Sequence, residues 1–204
     1  MYRGKRVLDL ALGVPALVLS VPVQLVTAGL VRFMLGSPIL FTQTRPGLGG
    51  RPFKLLKFRT MRPYDPSKGW TDDASRITNF GALLRSTSID ELPSLWNVVK
   101  GEMSLVGPRP LLMEYLEIYT PFEARRMEAK PGLTGLAQVS GRNAQSWRER
   151  FDLDVCYVDN CSLFLDLLII LRTFKSVLRR EGISAAGDAT MPRFRRGNAA
   201  GLSD

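Results

Sequence analysis

The chain contains no histidine, so acid, base or nucleophilic work would fall to carboxylates, lysines, hydroxyls or thiols. The most suggestive spacing lies in "RSTSIDELPSLWNVVKGEMSLVGPRP", residues 85–110, where Asp90 and Glu91 stand together at what reads as a helix start. Acids in a first helical turn are common caps. Ser88 and Glu91 match the S-x-x-E box, and Pro93 suits the first turn if Asp90 is itself the cap. The chemical alternative is that the positive end of the helix keeps a carboxylate ionised and draws in phosphate. A carboxylate can approach phosphorus only if the surrounding oxygens are neutralised, which arginines and Mg²⁺ can do; Mg²⁺ takes one or two carboxylates and completes its shell with phosphate oxygens. Suitable cations are present. Arg109, stiffened by prolines in "VGPRP", can present a guanidinium fork. Arg142 follows "PGLTGLAQVSGR", whose glycines would let the backbone approach a ligand closely. Lys57 and Arg59 share one face of a predicted strand, where phosphate, lipid or the fold itself could occupy them.

The elements that would hold these residues are read from periodicity. Two strands, Ile39 to Thr44 and Phe53 to Met61, flank a Pro/Gly turn over Pro46 to Gly50. Residues 63–75 read as a mobile polar loop. Thr78 or Asn79 opens a short helix through Arg85, and a second runs from about Ser88 to Lys100. Further helices are expected over Leu111 to about Ala129 and over Ser146 to Val158. A last helix, "SLFLDLLIILRTFKSVLRR", carries Leu163, Leu167, Ile170, Leu171, Phe174 and Leu178 at helical spacing, fit for a membrane surface or a core. The tail beyond Gly182 is small and polar, with little to pack.

Charge is lopsided along the 204 residues. Residues 1–64 hold ten Lys/Arg and one acid, Asp9, while the remainder holds eighteen of each sign, so the net +9 resides in the first third. Beside an apolar stretch, such a surplus suits anionic membrane lipid better than a nucleic-acid groove. Leu10 to Val31 is uncharged for twenty-two residues, about 33 Å as a straight helix and nominally enough to span. Pro22 inside it and basic residues at both ends argue for a bent helix that re-enters the same leaflet, because a single crossing would put one basic end outside. A cleaved signal peptide would need a small-x-small site, which is not recognisable. Cys156 and Cys161, without histidine or further cysteine, cannot complete a zinc shell and read as reduced structural thiols.

The motifs "KRVLDLALG", "SPILFTQTRPGLGGRPFKLLKFRTM", "TNFGALLRSTSIDELPSLWNVVKGEMSLVGPRPLL" and "KPGLTGLAQVSGRN" together resemble the bacterial sugar transferases, the monotopic phosphoglycosyl transferases, over about residues 3–182. The resemblance implies an α-rich α+β fold: a re-entrant membrane helix over 1–36, a catalytic domain over 37–182 with surface amphipathic helices and a small β-hairpin, and a tail over 183–204. It implies transfer of a phosphosugar from a UDP-sugar to polyprenyl (undecaprenyl) phosphate, with UMP released and Mg²⁺ as cofactor. On that pattern Asp90 is the nucleophile and a metal ligand, Glu91 its partner, and Arg109 a phosphate ligand, with Arg142, Lys57 and Arg59 as further candidates. The expected setting is the cytoplasmic face of a bacterial inner membrane, with a homo-oligomer possible and no nucleic-acid partner. One departure concerns the helix break. The family commonly has Ser-Pro where this chain has Val21-Pro22, with Ser20 one place earlier. The tail "REGISAAGDATMPRF" resembles that of small members using an N-acetylated bacillosamine-type donor. The competing class is a non-catalytic basic membrane adaptor whose acids only cap helices.

Overall fold

The computed structural model describes residues 2–141, 145–179 and Phe194, with only the backbone at 178 and 179. Its longest element is α1, Lys5–Met34, one helix that continues through Pro15 and Pro22. Lys5, Asp9, Gly13, Thr27 and Val31 are its buried residues. At 100° per residue they fall on one side, with half-buried Ser20 and Gln24 between them. Both ends are fastened to the same body. Arg6 donates to the Val98 and Val99 carbonyls at 2.6 Å each, and Asp9 Oδ1 accepts from Ser104 Oγ and the Leu105 N–H. At the other end Val31 packs with Phe58 and Leu84, while Arg59 donates to the Leu35 and Ser37 carbonyls. Between these anchors the helix is bare: Val18, Leu19, Leu25 and Val26 are each more than 60% exposed. It is long and apolar enough to cross a membrane, with 11% of its most apolar window buried. That exposure is incompatible with a core helix.

Strands β1 (Leu40–Pro46) and β2 (Pro52–Phe58) form the expected antiparallel hairpin, with Arg45 opposite Phe53 and Phe41 opposite Lys57. The far edge of β2 is closed by side chains. Helices α2 (Asp73–Arg76) and α3 (Asn79–Ser86) precede α4, Ser94–Lys100. From α4, Ser94 Oγ donates to the Leu56 carbonyl, while Asn97 accepts from the Leu56 N–H and donates to the Lys54 carbonyl. The helix thus occupies the hydrogen-bonding edge that a third strand would take.

Strands β3 (Ser104–Val106) and β4 (Gly132–Thr134) pair in parallel, a contact the sequence pattern did not suggest. Their glycines explain it. A Cβ on Gly132 would lie 2.1 Å from the Gly107 nitrogen, and one on Gly107 would lie 2.2 Å from the Lys130 carbonyl oxygen. The glycines therefore let two backbones touch each other.

The remaining helices are α5 (Pro121–Ala124), α6 (Leu136–Val139), α7 (Trp147–Asn160) and α8 (Leu163–Arg179). The single helix expected over Leu111 to Ala129 is broken into 3₁₀ turns around α5. Thr120 precedes a proline and is held extended, where it caps α5 with Glu123 in a capping box. Residues 63–75 are likewise ordered by a bridge between Asp65 and Trp70 and by a capping box on α2. Beyond residue 179 only Phe194 is described, 3% exposed in an aromatic cluster with Tyr115, Trp147 and Phe151; the rest of the tail lies outside the described residues. On α8, Asp166 and Ile169 are fully buried, whereas Leu163, Phe164, Leu167, Leu171 and Phe174 are exposed as an apolar face. Lys5 Nζ, Tyr2 and Tyr157 all bind the Asp166 carboxylate at 2.7–2.8 Å, tying α8 to the start of α1.

Candidate active site

Asp90 and Glu91 do not cap a helix. Pro93 has no N–H to give the Ile89 carbonyl, so the chain turns first through a 3₁₀ segment, Ile89–Glu91, with Ser88 left-handed at φ 57°. Neither this turn nor α4 has a side-chain cap. The S-x-x-E pattern at Ser88 is therefore not a capping box, and the turn instead leaves both acids on the α4–β2 side of the molecule.

Their surroundings divide them. Glu91 Oε1 accepts from Lys57 Nζ at 2.5 Å and from Arg109 Nη2 at 3.0 Å. Burial opposes its ionisation, but the two cations outweigh it and hold its carboxyl well below the usual carboxylate range. Asp90 is 8% exposed, and among the described residues no hydrogen bond or ion pair reaches its carboxylate. Burial first, and the Glu91 charge second, raise it to about 6 against the pull of Lys57, Arg85 and Arg109.

Beside Glu91 lies a small solvent-open cleft, lined by Arg45, Leu55, Lys57, Glu91, Met103 and Arg109 among others. Its apolar floor is a core cluster of Phe53, Leu55, Val98 and Met103. Arg109 is held from behind. The Gly107 N–H donates to the Thr134 carbonyl and the Gly132 N–H to the Pro108 carbonyl. Arg126 Nη2 donates to the Arg109 carbonyl at 2.7 Å and to Asp154 Oδ2 at 2.6 Å. Arg126 and Asp154 are each 1% exposed.

Of the residues singled out from sequence, Glu91, Lys57 and Arg109 line this cleft; Asp90, next to Glu91 in the chain, is not one of its lining residues but lies within electrostatic reach of Lys57 and Arg109. Arg59 does not: its guanidinium closes the end of α1. Arg142 lies outside the described residues. Sequence reasoning missed Arg45, counted only as a basic flank, and Arg85, a half-buried arginine whose Nε donates to Thr60 Oγ1 at 3.0 Å. It also missed the Arg126–Asp154 brace. Arg45 had one legible signal: in the hairpin register it shares a face with Leu55 and Lys57.

Among the described residues no group of three or more His, Cys, Asp and Glu is gathered as a metal shell. At the cleft Lys57 and Arg109 both bond Glu91 through Oε1, so Glu91 Oε2 and the Asp90 carboxylate are the acidic oxygens left for a divalent ion. This donor set fits an Mg²⁺ that arrives with diphosphate oxygens, not one caged by protein.

A family model described as bacterial sugar transferase matches residues 1–180. The chain is similar to the uncharacterized sugar transferase EpsL of Bacillus subtilis, at 53% identity over 191 residues, 93% of this chain and 95% of the relative. It is similar to the exopolysaccharide production protein ExoY of Sinorhizobium fredii, at 39% over 197 residues, 88% of this chain and 87% of the relative. A third relative, the UDP-glucose:undecaprenyl-phosphate glucose-1-phosphate transferase of Caulobacter vibrioides, is 43% identical over 188 residues, 87% of this chain and 70% of its own length. With a family match over nearly all of its length and a relative of similar size more than half identical, this chain belongs to the bacterial sugar transferase family.

Proposed function

We propose that this protein transfers a sugar phosphate from a UDP-sugar to a polyprenyl phosphate at a membrane surface, by way of a phosphosugar carried on Asp90. The observation that supports the reading is the asymmetry of the two acids: Glu91 Oε1 is bonded to both Lys57 and Arg109 at the cleft, while Asp90, the next residue, is buried with no hydrogen bond or ion pair among the described residues. The activity named for the relative from Caulobacter vibrioides agrees with it.

In the first half-reaction an Asp90 oxygen attacks the β-phosphorus. The bond from that phosphorus to the bridging oxygen breaks, and UMP departs with the electron pair. In the second, a phosphate oxygen of the polyprenyl phosphate attacks the same phosphorus, the bond to Asp90 breaks, and the carboxylate is restored. Glu91 keeps Lys57 and Arg109 aimed into the cleft, where they meet phosphate oxygens. Bound Mg²⁺, with Asp90 as a ligand, would neutralise the diphosphate and ease the departure of UMP. Two displacements at one phosphorus need only one site, which donor and acceptor occupy in turn.

The membrane arrangement follows from the helices. Both ends of α1 are bonded to one body, and its bare middle and the exposed face of α8 are apolar. This supports a helix that dips into one leaflet and returns, with Ser20 Oγ donating to the Leu17 carbonyl and Gln24 to Ser20 Oγ around Pro22. The basic residues flanking α1 at both ends support a catalytic body on the cytoplasmic face.

The test is UMP release by the purified protein from a panel of UDP-sugars with undecaprenyl phosphate, together with intact mass after exposure to donor alone. Wild-type protein should gain one phosphosugar. Asp90→Asn should not gain it, and its turnover should fall by about a thousandfold or more. Turnover without any adduct on rapid quench would demote Asp90 to a metal ligand, and an absence of UMP release across the panel would favour an adaptor.

A further inference from the structure

Lys57 and Arg109 are both bonded to Glu91, yet the cleft contains a third cation, Arg45, on which the Glu114 carboxylate acts only through space and as a minor influence. Arg45 Nη2 donates to the neutral Gln43 side chain at 2.6 Å, Nη1 makes only a long 3.4 Å contact to the Pro110 carbonyl, and Nε is buried without a partner. Among the described residues no carboxylate forms an ion pair with it. We infer that Arg45 is a substrate-binding residue that receives the α-phosphate of the nucleotide donor, the phosphate that leaves as UMP.

Three observations lead there. The first is electrostatic. Burial, and then the nearby charge of Arg109, lower the Arg45 pKa to about 10. A partly desolvated guanidinium beside another guanidinium costs stability, and an incoming polyanion relieves that cost. The second is register. Lys57 pairs with Phe41, four residues from Arg45 on β1, and all three share a face. Along the strand their backbone positions are therefore roughly 13 Å apart, and both side chains line the cleft. The third is the reaction itself. The β-phosphorus must lie near Asp90, at the Lys57 end. In-line displacement puts the leaving oxygen on the side of phosphorus away from the nucleophile, toward Arg45.

This assignment rests on the transfer reaction proposed above, and the experiment separates the two. UMP affinity is measured by calorimetry on full-length protein in nanodiscs. Adduct formation from donor alone, and its discharge by undecaprenyl phosphate, are followed by quenched intact mass. Arg45→Met should weaken UMP binding and slow adduct formation by about tenfold or more, as expected for loss of charge-assisted hydrogen bonds. Discharge of the adduct should be unchanged. Arg45→Lys keeps the charge but not the fork and should weaken UMP by a smaller factor, which preserves the test if the methionine variant does not fold. Normal UMP affinity in both variants overturns the assignment. Slower discharge with normal UMP affinity also overturns it and gives Arg45 to the lipid phosphate. Wild-type protein that neither binds UMP nor forms the adduct removes the transferase reading and this assignment with it.

Discussion

Because Lys57 and Arg109 both grip Glu91, the cost of burial falls on Asp90, whose carboxyl is raised to about 6. As the proposed nucleophile, Asp90 would have to be ionised, so adduct formation from donor alone should fall about tenfold per pH unit below 6 and level off above it. An ordinary carboxylate would hold its rate down to about pH 4. The same shift bears on stability. Asp90 binds its proton more tightly in the folded than in the unfolded chain, so the folded state is favoured below the unfolded value near 4 and loses that advantage as pH rises through 6. Asp90→Asn should therefore raise the melting temperature at pH 8, by about 1–3 kcal/mol in stability, and give no gain at pH 4. A variant that melts no higher than wild type at pH 8 would contradict the burial of an ionised Asp90. A group that costs stability in its working protonation state is typical of a site tuned for reaction and not for the fold.

Arg109 is presented by a short segment whose rigidity comes from elsewhere: glycine-mediated backbone contacts on one side and the Arg126–Asp154 pair on the other. Arg126→Met leaves Asp154 charged and buried, and should cost about 3–5 kcal/mol in thermal or denaturant unfolding. Adding Asp154→Leu should restore most of that stability, since an apolar pair can replace a buried ion pair. Turnover should stay low in the double variant, because nothing then holds the Arg109 carbonyl. Recovery of both would mean that the pair serves only the fold. This division also explains what could be read from sequence. The hairpin, α3, α7 and α8 are set by local periodicity and caps such as Thr78 and Ser146, and all were legible near their observed bounds. Strands β3 and β4 are three residues each and are fixed by one distant backbone lying against another, which no local pattern records. Arg126 and Asp154 meet across 28 positions, and their buried pairing cannot be inferred from charge alone. Asp90 and Glu91 were legible as a pair, but their difference was not, since it depends on where Lys57 and Arg109 come to rest.

At the scale of the whole molecule, α1 is joined to one body at both ends, by Arg6 and Asp9 at its start and by Val31 and the Arg59 contact at its finish. Single cysteines beside Arg3 and beside Arg45 should be labelled from the same side of a sealed vesicle. Labelling from opposite sides would mean that the helix crosses. Replacing Pro22 with alanine restores a missing backbone hydrogen bond and should move a fraction of molecules toward crossing. A helix clipped at both ends to a rigid body is mechanically a wedge of fixed depth. In the re-entrant arrangement proposed above it enlarges one leaflet and leaves the other untouched, so its insertion would be driven by lateral packing and by spontaneous curvature, and stretched or loosely packed leaflets would take it up more readily. In that arrangement it would also have no spanning length to match against a bilayer, and would be indifferent to the membrane thickness that sorts spanning helices.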